Sequence, residues 1–397
     1  MTPLSFEEAR ATVLQLVRLH GEKTEREQVE LGQARGRVLA TKALADRDDP
    51  PLDRALRDGY ALRAADTPGT LKLIGEVRAG AVYPGEIPAR QAVEIMTGAP
   101  VPAGADAVVM LEQATLEGRS VRVDTASEPG AHINRRGAQT RRGDMLLKVG
   151  TRLEYAEVAL LAATGAMQVV VYRKPRVAIL TTGDEVVEAS TRPLPHQVRN
   201  SNAWSLAAQV ERAGGEPLLL GTAPDALERT VALIGEGLKA DLLLIAGGVS
   251  AGRYDVVEDA LARWSAEVYF DQVQIQPGRP LVFGRAQEKL FFGLPGNPVS
   301  TMVCFELFAR AAVELLGGQA ESVLPLLESV LTEDFRHEPG LMRFLPARLS
   351  AGGSEVTPVD WHGSGDIAAV CRGNCFLVAE ADTPEYRAGE RIRVLPR

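Results

Sequence analysis

The sequence predicts a multidomain α/β-plus-β protein organised around one doubly wound α/β domain. Three observations carry that prediction. Between residues 176 and 316, short buried-type runs alternate with helical patterns, as expected of a mainly parallel sheet with crossover helices. Residues 46–148 have another texture, with proline and glycine every few residues and short alternating runs that suit a small β domain. After about residue 325 helical periodicity fades into strand-like runs separated by glycine, which suggests a last all-β domain.

In chain order, Ser5 to His20 reads as an amphipathic helix. Ser5 and Glu8 form a capping box, Phe6, Ala9, Val13, Leu16 and Val17 make the apolar face, and Gly21 ends it. A shorter pattern over residues 31–40 carries two glycines and reads as a helix with a turn. Within 46–148 the alternating runs are LKLIGEV (71–77), QAVEIM (91–96), ADAVVM (105–110) and SVRVD (120–124). A helix returns from Glu154 to Ala163, followed by a strand over 169–171. The α/β domain then opens at Lys174-Pro175. Its expected strands are 176–181, 217–221, 241–246, 267–274, 280–284 and 290–294, with helices at about 202–213, 225–238, 255–264 and 298–316. MRFLPARLS, CFLVAEA and RIRVLPR supply strands of the C-terminal domain.

Composition removes several function classes. With 397 residues, 45% hydrophobic and 24% charged, the chain is an ordinary globular protein of several domains. A net charge of −8 argues against nucleic acid as a partner, yet permits a small anionic ligand, because a local site can oppose the global sign. Cys304, Cys371 and Cys375 make no disulfide framework, and the Cys371/Cys375 spacing lacks the second pair a zinc site needs. No basic-then-apolar leader opens the chain and no apolar run reaches membrane-spanning length, so a cytoplasmic location without a membrane partner is expected. There is no P-loop and no H-E-x-x-H helix, and His20, His132, His196, His337 and His362 are too scattered to build a ligand cluster.

The chemistry is concentrated in three strand-to-helix junctions. GLPGNPVS (293–300) follows an apolar run: its glycines permit unusual backbone angles, Asn297 can cap the next helix, and Pro298 suits a first turn that needs no N–H. Free N–H groups at such a helix start favour an anion. RVAIL runs into TTGDE (181–185), and DLLLIA runs into GGVSAGRYD (247–255). Any one of these reads plainly as a βα turn. Three together on the edge where parallel strands end suggest an anionic ligand with a metal. Two further segments stand out: DDPPLDRALRDGYAL (48–62) with Asp53 and Asp58, and MTGAPVPAGAD (96–106). The basic run NRRGAQTRRGD (134–144) is either a solvated loop or a phosphate contact.

The set DDPPLDRALRDGYAL, IMTGAPVPAGADAVVM, KPRVAILTTGDEVV, NSN (200–202), GGVSAGRYD, QPGRPLVFG and GLPGNPVS, in this order, resembles the molybdopterin molybdenumtransferase family, MoeA of bacteria and the E domain of gephyrin in animals. The match covers nearly the whole chain. It implies four domains: a helical linking domain from residues 1–45 and 149–174, a β-rich domain at 46–148, a molybdopterin-binding α/β domain at 175–324 and a C-terminal β domain at 325–397. It implies a homodimer whose cleft lies between the α/β domain of one subunit and the β domain of the other. The implied reaction inserts molybdate into adenylylated molybdopterin with Mg2+, releasing AMP. The molybdopterin adenylyltransferase is a candidate partner. A molybdopterin-binding scaffold with weak transfer is the alternative.

By resemblance, Asp58, Thr97, Asp255 and Arg279 are the catalytic candidates, and Asp184, Glu185 and Asp255 are oxygen ligands suited to Mg2+. The substrate-binding candidates are Gly183, Gly247, Gly248, Ser250, Pro295, Gly296, Asn297, Pro298, Arg135, Arg136 and Ser364. Molybdate and pyrophosphate are both oxyanions and want backbone N–H groups, cations and a hard metal ion. The chain departs from the family pattern where Gln276 and Gln272 replace frequent lysines and Gln139 replaces an acid. Arg57 also stands where relatives have an apolar residue, and is placed to restore part of the lost charge.

Overall fold

The computed structural model describes residues 2–21, 25–248 and 256–397. Among them, six strands form the central sheet: β1 Arg176–Thr182, β2 Glu216–Ala223, β3 Leu242–Ala246, β4 Glu267–Phe270, β5 Val282–Ala286 and β6 Lys289–Leu294. Their spatial order is β2-β1-β3-β6-β5-β4. The first four run parallel, and β5 and β4 are added antiparallel. Alternation in each strand feeds two cores. Val177, Ile179, Leu242, Leu244, Leu290 and Phe292 face one layer, while Ala178, Leu180, Leu243, Ile245 and Phe291 face the other. Helices Leu227–Gly237 and Val256–Arg263 cover the second layer, and helix Asn202–Arg212 covers the first. The sheet is therefore doubly wound, as the alternating pattern predicts.

The first layer also receives the N-terminal helix, Phe6–Gly21. Its capping box forms: the Glu8 N–H donates to Ser5 Oγ at 3.2 Å and the Ser5 N–H to Glu8 Oε2 at 2.9 Å. Ala9, Val13 and Val17 are fully buried. Opposite them, the helix expected over 298–316 is not uniform. It runs α over Pro298–Cys304, π over Phe305–Ala309 and α again over Arg310–Leu316. The wide turn displaces backbone carbonyls, and Arg10 Nη1 donates to that of Leu307. The same turn carries buried Glu306, whose carboxylate is held by Gln209 Nε2 at 2.6 Å and Arg212 Nη2 at 2.5 Å. A buried carboxylate persists only with such partners.

Two compact units divide the chain. One comprises residues 1–41, 149–155 and 168–397. It holds the central sheet, the antiparallel pair Arg26–Glu30 with Gln168–Tyr172, and a C-terminal barrel. In the barrel, Met342–Leu349, Glu355–Pro358, Leu327–Leu331, Arg391–Pro396 and Cys375–Ala379 pair in sequence, and the last strand closes onto the first. The other unit, residues 42–148 and 156–167, carries a six-stranded sheet with Gly59–Leu62, Gly69–Val77, Gln91–Ile95 and Ala107–Met110 among its strands.

Two expectations need correction, and one helix was not anticipated. The 31–40 pattern is only a 3-10 turn, Leu31–Gln33, because its glycines break the periodicity and Gly36 takes a φ of +76°. The strand expected over 267–274 stops at Phe270, and Ile275–Gln276 joins the strand Met342–Leu349 instead. Helix Ile367–Arg372, capped by Asp366, was hidden by its short length. Removing the Ser5 cap (Ser5→Ala) is expected to cost about 1 kcal/mol. Emptying the sheet core with Phe292→Ala is expected to cost about 3–5 kcal/mol. Denaturant midpoints measure both.

Candidate functional site

At β1 the winding reverses: β2 lies on one side and β3 on the other. Polar loops leave the carboxyl ends of β1, β3 and β6 here, the usual place for a ligand in an open α/β sheet. A cavity of about 900 Å³ occupies the spot. Its wall includes Thr181 and Thr182 at the end of β1, Gly183 and Glu185 after it, Gly247 and Gly248 after β3, and Gly296, Asn297 and Pro298 after β6. Gly365 and Ile367 close it from the C-terminal segment. All of these belong to one compact unit.

The elements are held open by one buried amide. Asn200 Nδ2 donates to Thr181 Oγ1 at 2.8 Å and Thr222 Oγ1 at 3.2 Å, joining the ends of β1 and β2. Its Oδ1 accepts the Ala203 N–H at 3.0 Å at the start of helix Asn202–Arg212. Two residues on, Asn202 Nδ2 donates to the Gly296 carbonyl at 2.7 Å, which fixes the loop after β6. The N–S–N run therefore pins two sides of the cavity.

Two glycines are required, Gly247 by close approach to backbone and both by a positive φ. Gly247 has a φ of +99°, and a Cβ there would lie 2.7 Å from Thr182 Oγ1 and 2.9 Å from the Thr182 carbonyl oxygen. Gly183 has a φ of +124°, and its Cβ would meet Glu185 Oε2 at 2.6 Å. Asn297 does not cap with its side chain. Its carbonyl accepts the Thr301 N–H at 3.0 Å, and the Thr301 hydroxyl donates to the Pro295 carbonyl at 2.6 Å, so backbone and Thr301 shape the turn. Pro298 sits in the first turn as expected.

An acidic corner lies on the wall. Glu185 and Asp225 line the cavity, and the Asp184 carboxylate accepts the Asp225 N–H at 3.0 Å. Desolvation pushes the Asp225 carboxyl above its ordinary value, and the charges of Asp184 and Glu185 push it further up. Arg199 is the one cation among the described residues of the wall. Ser250 and Asp255, with the rest of 249–255, lie outside the described residues. Among the described residues no three His, Cys, Asp or Glu side chains gather as a metal-holding group. Arg279, Pro295 and Ser364 are not on the wall. Ser364 instead accepts the Val299 N–H through its carbonyl at 2.9 Å, tying the C-terminal segment to the start of the helix.

In the other unit, Asp58 Oδ1 accepts from the Thr97 N–H at 2.6 Å and the Thr97 hydroxyl at 2.8 Å, and these bonds hold its carboxyl below the usual range. The phosphate reading of the basic run meets a different arrangement. Arg135 Nη1 pairs with Asp53 at 2.6 Å and Arg136 Nε with Asp48 at 2.7 Å. Burial pushes Asp53 up, but the Arg136 N–H and the Arg135 guanidinium outweigh it. Asp53 thus pairs with an arginine 82 positions later, a contact no local pattern marks.

Three family models cover the chain. The MoeA N-terminal region (domain I and II) matches residues 4–165, a probable molybdopterin binding domain matches 178–315, and the MoeA C-terminal region (domain IV) matches 328–396. The molybdopterin molybdenumtransferase of Bacillus subtilis is 36% identical over 99% of this chain and 94% of its own length. That of Haemophilus influenzae is 32% identical over 99% and 98%. The chain belongs to the MoeA family. A crystal structure of the molybdopterin biosynthesis MoeA protein from Pyrococcus horikoshii OT3 superposes with a TM-score of 0.84 at 30% identity, covering 100% of both chains. The multidomain MoeA fold thus extends through the whole molecule.

Sequence reading singled out the glycine loops but not the roles of Asn200, Asp225 or Arg199. Asn200 stood in plain view inside the N–S–N run of the family pattern. Asp225 lies on the loop after β2, where no glycine-rich motif marks it. Asn200→Ala leaves the Ala203 N–H without its acceptor and removes the bonds to Thr181 and Thr222, whose hydroxyls keep each other at 3.0 Å, and is expected to cost about 1–3 kcal/mol. Gly247→Ala is expected to cost about 1–3 kcal/mol through strain and to weaken ligand binding. Thermal melts and ligand titrations check both.

Proposed function

We propose that the chain inserts molybdate into adenylylated molybdopterin with Mg2+, releasing AMP. A transferase role in molybdenum cofactor biosynthesis follows from membership of the MoeA family and from relatives named molybdopterin molybdenumtransferase. The observation that carries the finer reading is the cavity itself. It is large enough for an elongated ligand, it is rimmed by three strand-end loops, and it has acidic and basic groups on one wall.

Mg2+ fits the donor set. It is held through one or two carboxylates plus substrate phosphates rather than by an all-protein cage. Glu185 and Asp225 offer oxygens on the cavity wall, and the Asp225 carboxyl is raised by desolvation first and then by the charges of Asp184 and Glu185, which a cation would offset. When bound, the ion neutralises phosphate charge. The chain's own part is positioning: backbone at Gly247, Gly248 and Gly296 lets the ligand approach closely, and Asn200 and Asn202 hold those loops in place. Asp58 and Thr97 remain proposed catalytic residues, supported by the resemblance and by their mutual hydrogen bonds. Asp184, Asp255, Ser250, Arg279, Pro295 and Ser364 are carried by the resemblance alone. So are the homodimer, the four-domain division and the adenylyltransferase partner. Among the described residues no helix is long and apolar enough to cross a membrane.

The decisive assay is AMP release from adenylylated molybdopterin by the purified chain. Release that requires both molybdate and Mg2+ is expected. Tight binding without release would support a scaffold instead, with Gln139, Gln272 and Gln276 as the changes to examine.

Asp225 gives a second test. Its folded carboxyl titrates above its ordinary value, so between those two values the folded state holds more protons. Stability contributed by this group falls as pH rises through that window and the penalty persists above it. Without Mg2+, Asp225→Asn is therefore expected to melt higher than the native protein at pH 7, with the gap closing at acid pH. Adding Mg2+ is expected to raise the Tm of the native protein more than that of the variant. Equal Mg2+ responses would remove Asp225 from the metal site.

A further inference from the structure

We infer that Arg199 is the residue that takes the phosphate charge of the ligand in this cavity. The inference rests on the reading that the ligand is a phosphate anhydride, and names the cation that meets it. Arg199 ends the short strand Val198–Arg199, which pairs in parallel with Val186–Val187. The backbone on either side is fixed, since the Val198 N–H donates to the Glu185 carbonyl and the Asn200 N–H to the Val187 carbonyl, both at 2.8 Å. The side chain is anchored once: Nε donates to the Thr191 carbonyl at 2.9 Å. A guanidinium has five N–H donors in a planar fork, so both terminal nitrogens keep their donors, and this fork matches a phosphate bidentately.

What singles out Arg199 is its place, as the cation among the described residues of the cavity wall. Arg135 and Arg136 belong to the other compact unit and pair there with Asp53 and Asp48. Arg199 shares a wall with Glu185 and Asp225 yet forms no ion pair with either, or with any other described residue. The cavity is thus polarised, with carboxylates for a cation and an uncommitted guanidinium for an oxyanion. A ligand that brings phosphate and Mg2+ together satisfies both.

The test is calorimetric titration of the full chain with AMP and with inorganic pyrophosphate, in Mg2+, at low and high salt. For Arg199→Ala, Kd is expected to rise about tenfold or more, the loss typical of hydrogen bonds to a charged group, and its salt dependence to flatten. Arg199→Lys restores charge without the fork and is expected to fall between. Unchanged thermal melts check that the exposed side chain is not needed for folding. If the native protein binds these probes and Arg199→Ala binds them equally well, the inference is overturned while the proposed function stands. If the native protein binds neither probe, both fall.

Discussion

The arrangement depends on how polar groups are satisfied at the carboxyl end of a buried sheet. Strands β1, β3 and β6 are apolar on both faces, so their polar atoms must find partners where the strands stop. Asn200 solves this at the switch point. One buried side chain serves two threonine hydroxyls on neighbouring strands and one N–H at a helix start. β1 and β2 stay paired through Thr182 and Ala223, and the amide ties their ends to the start of the next helix. The space between the loops then belongs to a ligand.

The same economy governs charge. Along the 134–144 run, arginines that look available in the sequence are matched by Asp48 and Asp53. Beneath the central sheet, Glu306 is buried in a π turn and matched by Gln209 and Arg212. Against this background, the groups left unmatched at the cavity acquire meaning. Asp225 carries an unfavourable charge beside Asp184 and Glu185, and Arg199 keeps its terminal nitrogens unpaired. Stability is sacrificed locally where binding is to be gained, a pattern common at functional sites.

The C-terminal segment reaches the site by a short route. The Ser364 carbonyl holds the Val299 N–H, and Gly365 and Ile367 complete the cavity wall. In GSGD the Ser364 carbonyl holds the start of helix Pro298–Cys304 and the Asp366 side chain caps Ile367–Arg372.

Much of this was legible in the sequence because it is local. Continuous apolar runs marked β1, β3 and β6, the Ser5/Glu8 spacing marked the capping box, and glycine followed by polar residues marked the three loops. The ordered motifs carried the family. The π turn at Phe305–Ala309 was not legible, because an α pattern and a widened turn share the same apolar spacing over so few residues. Nor were the pairs Arg135–Asp53 and Asn200–Thr222, which join residues far apart in the chain. The sequence by itself determined which strands are buried and which loops are polar, since those follow from side-chain chemistry and periodicity. Only the tertiary structure decided which charges are spent and which remain free, because pairing depends on distances that folding sets.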